Sequence, residues 1–263
     1  MKWNAAKIKA LKGKQKIAMV TAYDALTASL VEGAGMPAVL VGDSLANTVL
    51  GYDTTLPVSM EEMLHHTAAV SRGIREAMVI ADMPFMSYQP SVAMGLENAG
   101  RFLKEAHADA VKIEGGAMRS ELIEALVKNG IPVLGHIGLT PQSIKEMGGY
   151  KVQGKSSEQA RRLMDDAMAV EQAGAFALVL ECVPGGLGEN LSSALSIPTI
   201  GIGAGAGCDG QVLVFTDLLG ISDRPVPRFV KKYANLNPQI VEALAAFRRE
   251  VEAGTFPSAE QTY

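Results

Sequence analysis

Cysteine is scarce. Two residues, Cys182 and Cys208, in a chain of 263 do not make a disulfide framework. No CxxC or Cys/His spacing suggests zinc. No apolar run approaches the ~20 residues needed to cross a bilayer, and residues 1–7 lack the apolar stretch of a secretory signal. Aromatics make up 5% of the chain, lysine and arginine form no cluster, and the net charge is -4. That balance argues against nucleic acid as a partner. It leaves small anionic ligands open, because local lysines and helix N-termini decide those. The expectation is a soluble, cytoplasmic protein with no membrane partner. No internal repeat, low-complexity tract or linker interrupts residues 1–263, so a single domain is expected, with a short N-terminal helix and a C-terminal helical tail.

What the chain has in quantity is apolar residues, 48% against 20% charged. Many sit in short runs that end in an acid. Val39-Leu40-Val41-Gly42-Asp43-Ser44 is the first. Met78–Asp82, Ala110–Glu114 and Ala177–Glu181 repeat the design. Continuous rather than alternating apolar runs mark parallel strands covered on both faces. Further strands are predicted at 16–24, 131–136, 197–203 and 211–215, the last also readable as helix. Between them run helical patterns, four opened by Ser59, Ser91, Ser120 and Ser156. Ser59 with Glu62 and Ser156 with Gln159 fit capping boxes. Roughly eight strands alternating with helices predict an α/β fold, a (β/α)₈ barrel, with a doubly wound sheet second. Two long segments, 45–58 and 137–156, are the lid candidates.

In such a barrel the strand C-termini form one mouth. Asp43, Asp82, Glu114 and Glu181 would all stand there. Any one of them alone reads equally well as a cap for the next helix. Four together repel unless a cation or protonation relieves them. Oxygen ligands without cysteine select Mg²⁺, Mn²⁺ or Ca²⁺. Lys112 lies two residues before Glu114, hence on the same interior face. It is either paired with a structural acid or clamps a substrate carboxylate. His136, expected to end strand five, is a structural group or a substrate contact. Cys182 is read as packing. Ile200-Gly201-Ile202-Gly203-Ala204-Gly205 is either a phosphate turn or a tight turn.

Longer motifs carry a resemblance. Gly42-Asp43-Ser44, Ala81–Phe85, Val111–Gly116, Gly135–Gln142, Gly149–Gly154, Leu180–Pro184 and Ile200–Gly205 resemble the ketopantoate hydroxymethyltransferase family, from about Ile17 to Pro257. The resemblance implies a barrel of the phosphoenolpyruvate/pyruvate type. It implies Mg²⁺, with 5,10-methylenetetrahydrofolate as one-carbon donor. The reaction implied is hydroxymethyl transfer to 3-methyl-2-oxobutanoate through a Mg²⁺-stabilised enolate, giving 2-dehydropantoate for pantothenate synthesis. By motif, Asp43, Asp82 and Glu114 match metal-site acids. Ser44 and Lys112 match keto-acid contacts, to which Asp43, Asp82 and His136 are added as substrate-binding candidates. Glu181 matches the general base. A homodecamer is implied. Thr216 departs from the pattern, which has histidine there. The alternative is a Mg²⁺-dependent lyase or mutase of the same superfamily acting without folate; such enzymes usually carry a loop cysteine, and neither long loop here has one.

Overall fold

The computed structural model describes residues 2–263. Eight strands pair in chain order into a closed parallel barrel. They are β1 (Ile17–Thr21), β2 (Ala38–Val41), β3 (Met78–Asp82), β4 (Ala110–Glu114), β5 (Val133–Gly138), β6 (Ala177–Glu181), β7 (Thr199–Ile202) and β8 (Gly210–Leu213). β8 closes on β1 with Ile17 opposite Gly210. The expected (β/α)₈ architecture is the one observed.

Helices fill the connections. α1 (Ala5–Lys9) precedes β1, and α2 (Ala25–Gly33) follows it behind a capping box of Asp24 and Thr27. The segment after β2 holds the short α3 (Leu45–Thr48) and then α4 (Met60–Gly73). α5 (Val92–Lys104) and α6 (Ser120–Lys128) follow β3 and β4. After β5 come a 3₁₀ turn at Pro141–Ser143, the short α7 (Ile144–Met147) and α8 (Ser157–Gln172). The predicted capping boxes at Ser59/Glu62 and Ser156/Gln159 are both formed, each satisfying two otherwise free backbone N–H groups.

α9 (Gly185–Ala194) was not foreseen, since three of its first four residues are glycine and glycine disfavours helix. Packing overrides propensity here. A Cβ at Gly188 would meet the Ala204 carbonyl oxygen at 2.3 Å, and one at Gly205 would meet Gly185 Cα at 2.8 Å. The glycines after β7 therefore serve a close backbone approach, the tight-turn reading of that motif.

Period two sorts the strand residues. The interior at the strand N-terminal end is apolar. Met19, Leu40, Met78, Ile80, Leu134, Val179 and Val212 share one cluster, and Ile8 of α1 joins it. Below, Asp209 Oδ2 accepts from Lys12 Nζ at 2.7 Å, Ser192 Oγ at 2.9 Å and Thr199 N at 2.9 Å. Burial alone would raise this carboxyl; the Lys12 charge and these donors hold it low. One or two residues further along the same inward rows, the side chains become Asp82, Lys112, Glu114, His136 and Glu181. The barrel is greasy at one end and ionisable at the other.

The chain divides into two compact units, one ending at Val214 and the other spanning Phe215–Tyr263. The second contains α10 (Phe215–Leu218) and α11 (Leu236–Glu252). Leu236 N and Asn237 N donate to the Leu219 and Gly220 carbonyls at 3.1 and 2.9 Å, tying the start of α11 to the turn after α10. Thr216 lies in α10, its hydroxyl buried without a hydrogen-bond partner.

Candidate active site

The register brings the ionisable residues together. Asp82 on β3 stands opposite Lys112 on β4. Glu114 on β4 stands opposite His136 on β5, and Gly138 opposite Glu181 on β6. Lys112 Nζ donates to Asp82 Oδ1 and lies 3.7 Å from Glu114 Oε1. Burial would neutralise the amine, but Asp82, Glu114 and Asp43 keep it charged, with its pKa above the usual lysine range.

Asp43 stands just past β2. Its backbone N–H donates to Asp82 Oδ2 at 2.9 Å. A Cβ at Gly42 would sit 2.8 Å from Ser44 Oγ but only in ordinary contact, 3.5 Å, with Asp82 Oδ2, so glycine there makes room for the Ser44 side chain. The Asp43 carboxyl is pushed up to about 8 by burial, then by Asp82 and Glu114, against the opposing pull of Lys112 and Gln142. Ser44, at the head of α3, hydrogen-bonds the Tyr23 hydroxyl at 2.8 Å.

His136 does not end its strand; β5 continues to Gly138, so the imidazole stands inside the barrel mouth. Its Nδ1 lies 3.4 Å from Glu114 Oε1 and its Nε2 3.2 Å from Glu181 Oε2. Burial and Lys112 push the ring toward neutrality. The two carboxylates outweigh them and raise it to about 9. Glu114 is held low, because His136, Lys112 and the Gln142 N–H overcome the cost of its burial. The Glu181 side chain is 15% exposed, against 2–5% for Asp82, Lys112, Glu114 and His136. Glu181 is thus the acid of this group most open to a small molecule in the mouth. Its neighbour Cys182 has a thiol pushed up to about 11 by burial and by Glu181, which suits packing rather than nucleophilic chemistry.

The donor set suits a hard cation. Asp43, Asp82 and Glu114 offer oxygen only, and Glu114 Oε1 is buried without a hydrogen-bond partner. Yet among the described residues no three His, Cys, Asp or Glu side chains form a ready metal cage. The arrangement fits Mg²⁺ held by one or two direct carboxylates, the remaining positions going to water or substrate oxygens.

Sequence reasoning gave no role to Gln142, Tyr88 or Tyr150. The Gln142 side-chain amide donates to Asp43 Oδ2 at 3.0 Å, and Tyr88 donates to the Gln142 amide oxygen at 2.8 Å. The Tyr150 phenol, 62% exposed, is raised first by its partial burial and then by the charges of Glu181, Asp43 and Glu114. The signal for Gln142 was its place at the end of the Gly135–Gln142 motif, beside Pro141 in a long connection. A cavity of about 720 Å³ adjoins the cluster, lined by Phe85, Tyr88, Glu114, Arg119, Gln142 and Met147 among others.

Comparison with known proteins follows the same lines. The family model for ketopantoate hydroxymethyltransferase matches residues 2–259. The 3-methyl-2-oxobutanoate hydroxymethyltransferase of Syntrophus aciditrophicus is 56% identical over 257 residues, covering 97% of this chain and 94% of that protein. Its namesake from Thermotoga maritima is 55% identical over 260 residues, covering 99% and 96%. Among solved structures, phosphonopyruvate hydrolase in complex with oxalate and Mg²⁺ superposes with a TM-score of 0.64 at 14% identity, covering 99% of this chain and 93% of that one. A 2,3-dimethylmalate lyase, described as a member of the PEP mutase/isocitrate lyase superfamily, gives 0.61 at 16%, covering 100% and 93%. These structures share the barrel; the sequence relatives share more than half their residues along nearly the whole length. The chain belongs to the ketopantoate hydroxymethyltransferase family.

Proposed function

We propose that the protein transfers a hydroxymethyl group from 5,10-methylenetetrahydrofolate to 3-methyl-2-oxobutanoate, giving 2-dehydropantoate. The observation that carries this reading is the family match over residues 2–259, in a chain whose strand ends gather Asp82, Lys112, Glu114, His136 and Glu181. The folate-independent lyase and mutase alternative has only the likeness of fold behind it.

In this reading Asp43, Asp82 and Glu114 would form the Mg²⁺ site, one or two of them as direct ligands, and the bound ion would supply Lewis-acid polarisation to the keto oxygen. Lys112, charged and buried, orients the substrate carboxylate, and Ser44 and His136 contact the keto acid. Glu181 takes the C3 proton as general base. The resulting carbanion forms a carbon–carbon bond to the donor methylene carbon, both carbon–nitrogen bonds of that methylene break, water supplies the hydroxyl, and the two tetrahydrofolate nitrogens take up one proton from water and the C3 proton that Glu181 removed. The 720 Å³ cavity is the place this reading gives the donor. It shares Glu114 and Gln142 with the acids and falls in the ~300–1,000 Å³ range of sites for drug-sized ligands. The segments 45–58 and 137–156 exclude water from the carbanion.

A homodecamer is also part of the proposal. Its support is α11, which buries none of its residues and exposes Ile240, Val241, Leu244, Phe247 and Val251 along one stripe, the pattern of a helix that meets another subunit. A cytoplasmic location is proposed with it; among the described residues, no helix is long and apolar enough to cross a membrane.

One assay tests the reaction: 2-dehydropantoate formation with and without methylenetetrahydrofolate, and with and without Mg²⁺. Product is expected only when both are present. Consumption of the keto acid to another product without folate would overturn the reading.

A further inference from the structure

Gln142 has no free hydrogen-bonding capacity. A primary amide has two donor hydrogens and two acceptor lone pairs. Both donors are used, on Asp43 Oδ2 at 3.0 Å and the Met83 carbonyl at 2.9 Å. Both acceptor positions are used, by the Tyr88 hydroxyl at 2.8 Å and Gln89 Nε2 at 2.9 Å. Its backbone N–H donates to Glu114 Oε2 at 3.0 Å. The side chain is buried. One orientation satisfies this pattern. Flipped, the amide oxygen would face a carboxylate and a carbonyl, and two lone-pair clashes would replace two bonds.

We infer that Gln142 is a positioning residue that fixes the carboxylates of Asp43 and Glu114 relative to one another. One side chain and its own N–H grip an acid after β2 and an acid at the end of β4, from a third connection, the one after β5. Tyr88 braces the arrangement from behind. Its hydroxyl supports the amide, accepts from Glu114 N at 3.1 Å and faces the Glu114 carbonyl at 3.3 Å. Glu114 Oε1, 3.4 Å from His136 Nδ1 and without a hydrogen bond, is left for a ligand. Partners that orient metal ligands in this way commonly carry a 10–100-fold share of metal affinity or activity. Because the 3₁₀ turn at Pro141–Ser143 carries Gln142, docking of that segment and alignment of the two acids become one event.

The inference rests on reading Asp43 and Glu114 as metal-site acids, so the test separates the two. Mn²⁺ binding to the full-length protein is measured by electron paramagnetic resonance for wild type, Gln142→Leu, Tyr88→Phe and Asp43→Asn, with thermal unfolding in parallel. Gln142→Leu is expected to unfold cooperatively and to bind Mn²⁺ about 10–100-fold more weakly. Tyr88→Phe, which removes one bracing hydroxyl and keeps the ring, is expected to weaken binding in the same direction by a smaller factor. Wild-type Mn²⁺ affinity in a folded Gln142→Leu protein overturns the inference. If that variant fails to fold, unchanged affinity in Tyr88→Phe overturns it instead. Unchanged affinity in Asp43→Asn overturns the metal-site reading itself, and the inference with it.

Discussion

His136 Nε2 stands 3.2 Å from Glu181 Oε2, while the opposite ring nitrogen stands 3.4 Å from Glu114 Oε1. One imidazole therefore links a proposed metal-site acid to the proposed base. Burial and the Lys112 charge oppose protonation; the Glu114 and Glu181 carboxylates reverse that and raise the ring to about 9. A group raised in the folded state adds stability that is fully present below its unfolded value, about 6.5, and is lost as pH climbs through the folded value. In metal-free protein, the stability margin of wild type over His136→Gln is predicted to be greatest below pH 6.5 and to shrink between there and pH 9. Urea unfolding across that range checks it. A margin that widens with pH contradicts the assignment.

Asp82 and Lys112 form a buried ion pair. Asp82→Ala leaves the ammonium buried with Glu114 Oε1, 3.7 Å away, as its nearest remaining acid contact. Breaking one side of such a pair costs about 3–5 kcal/mol. Chemical denaturation is predicted to show that loss. Titration calorimetry is predicted to show weaker keto-acid binding and a weaker response to Mg²⁺ together. Lost stability with an unaltered metal requirement would remove Asp82 from the metal site.

Gly138 ends β5 at a φ of 93°, and a Cβ there would meet the Glu181 carbonyl oxygen at 2.2 Å. Gly138→Ala combines a strained backbone, about 1–3 kcal/mol, with a clash against the residue proposed as base. It is predicted to lower the thermal midpoint and to reduce turnover by more than keto-acid binding. A variant with unchanged kcat would show that the end of β6 tolerates displacement.

The barrel was legible because its strands announce themselves. β3 and β4 match their predicted bounds, since each is a continuous apolar run stopped by an acid. The gathering of Asp82, Lys112, Glu114 and Glu181 followed from parallel register and period two. Gln142 was not legible, because an amide that binds four partners has no local pattern. Its partners Asp43, Met83, Tyr88 and Gln89 come from other connections, and only the closed barrel brings them together. The same holds for α9, whose glycines argue against helix until Ala204 is seen packed against Gly188. The end of β5 was placed two residues early, at His136, for a simple reason. Ile137-Gly138 reads as the start of a loop, but Gly138 pairs with Glu181 and extends the strand.

The central claim is that Glu181 removes the C3 proton in a mouth organised by the other acids. Proton exchange at C3 of 3-methyl-2-oxobutanoate in deuterated water, with Mg²⁺ and without folate, isolates that step. Glu181→Gln is predicted to keep keto-acid binding and to lose exchange by about 10²–10⁴-fold, the usual contribution of a positioned base. Exchange at the wild-type rate by that variant would contradict the account.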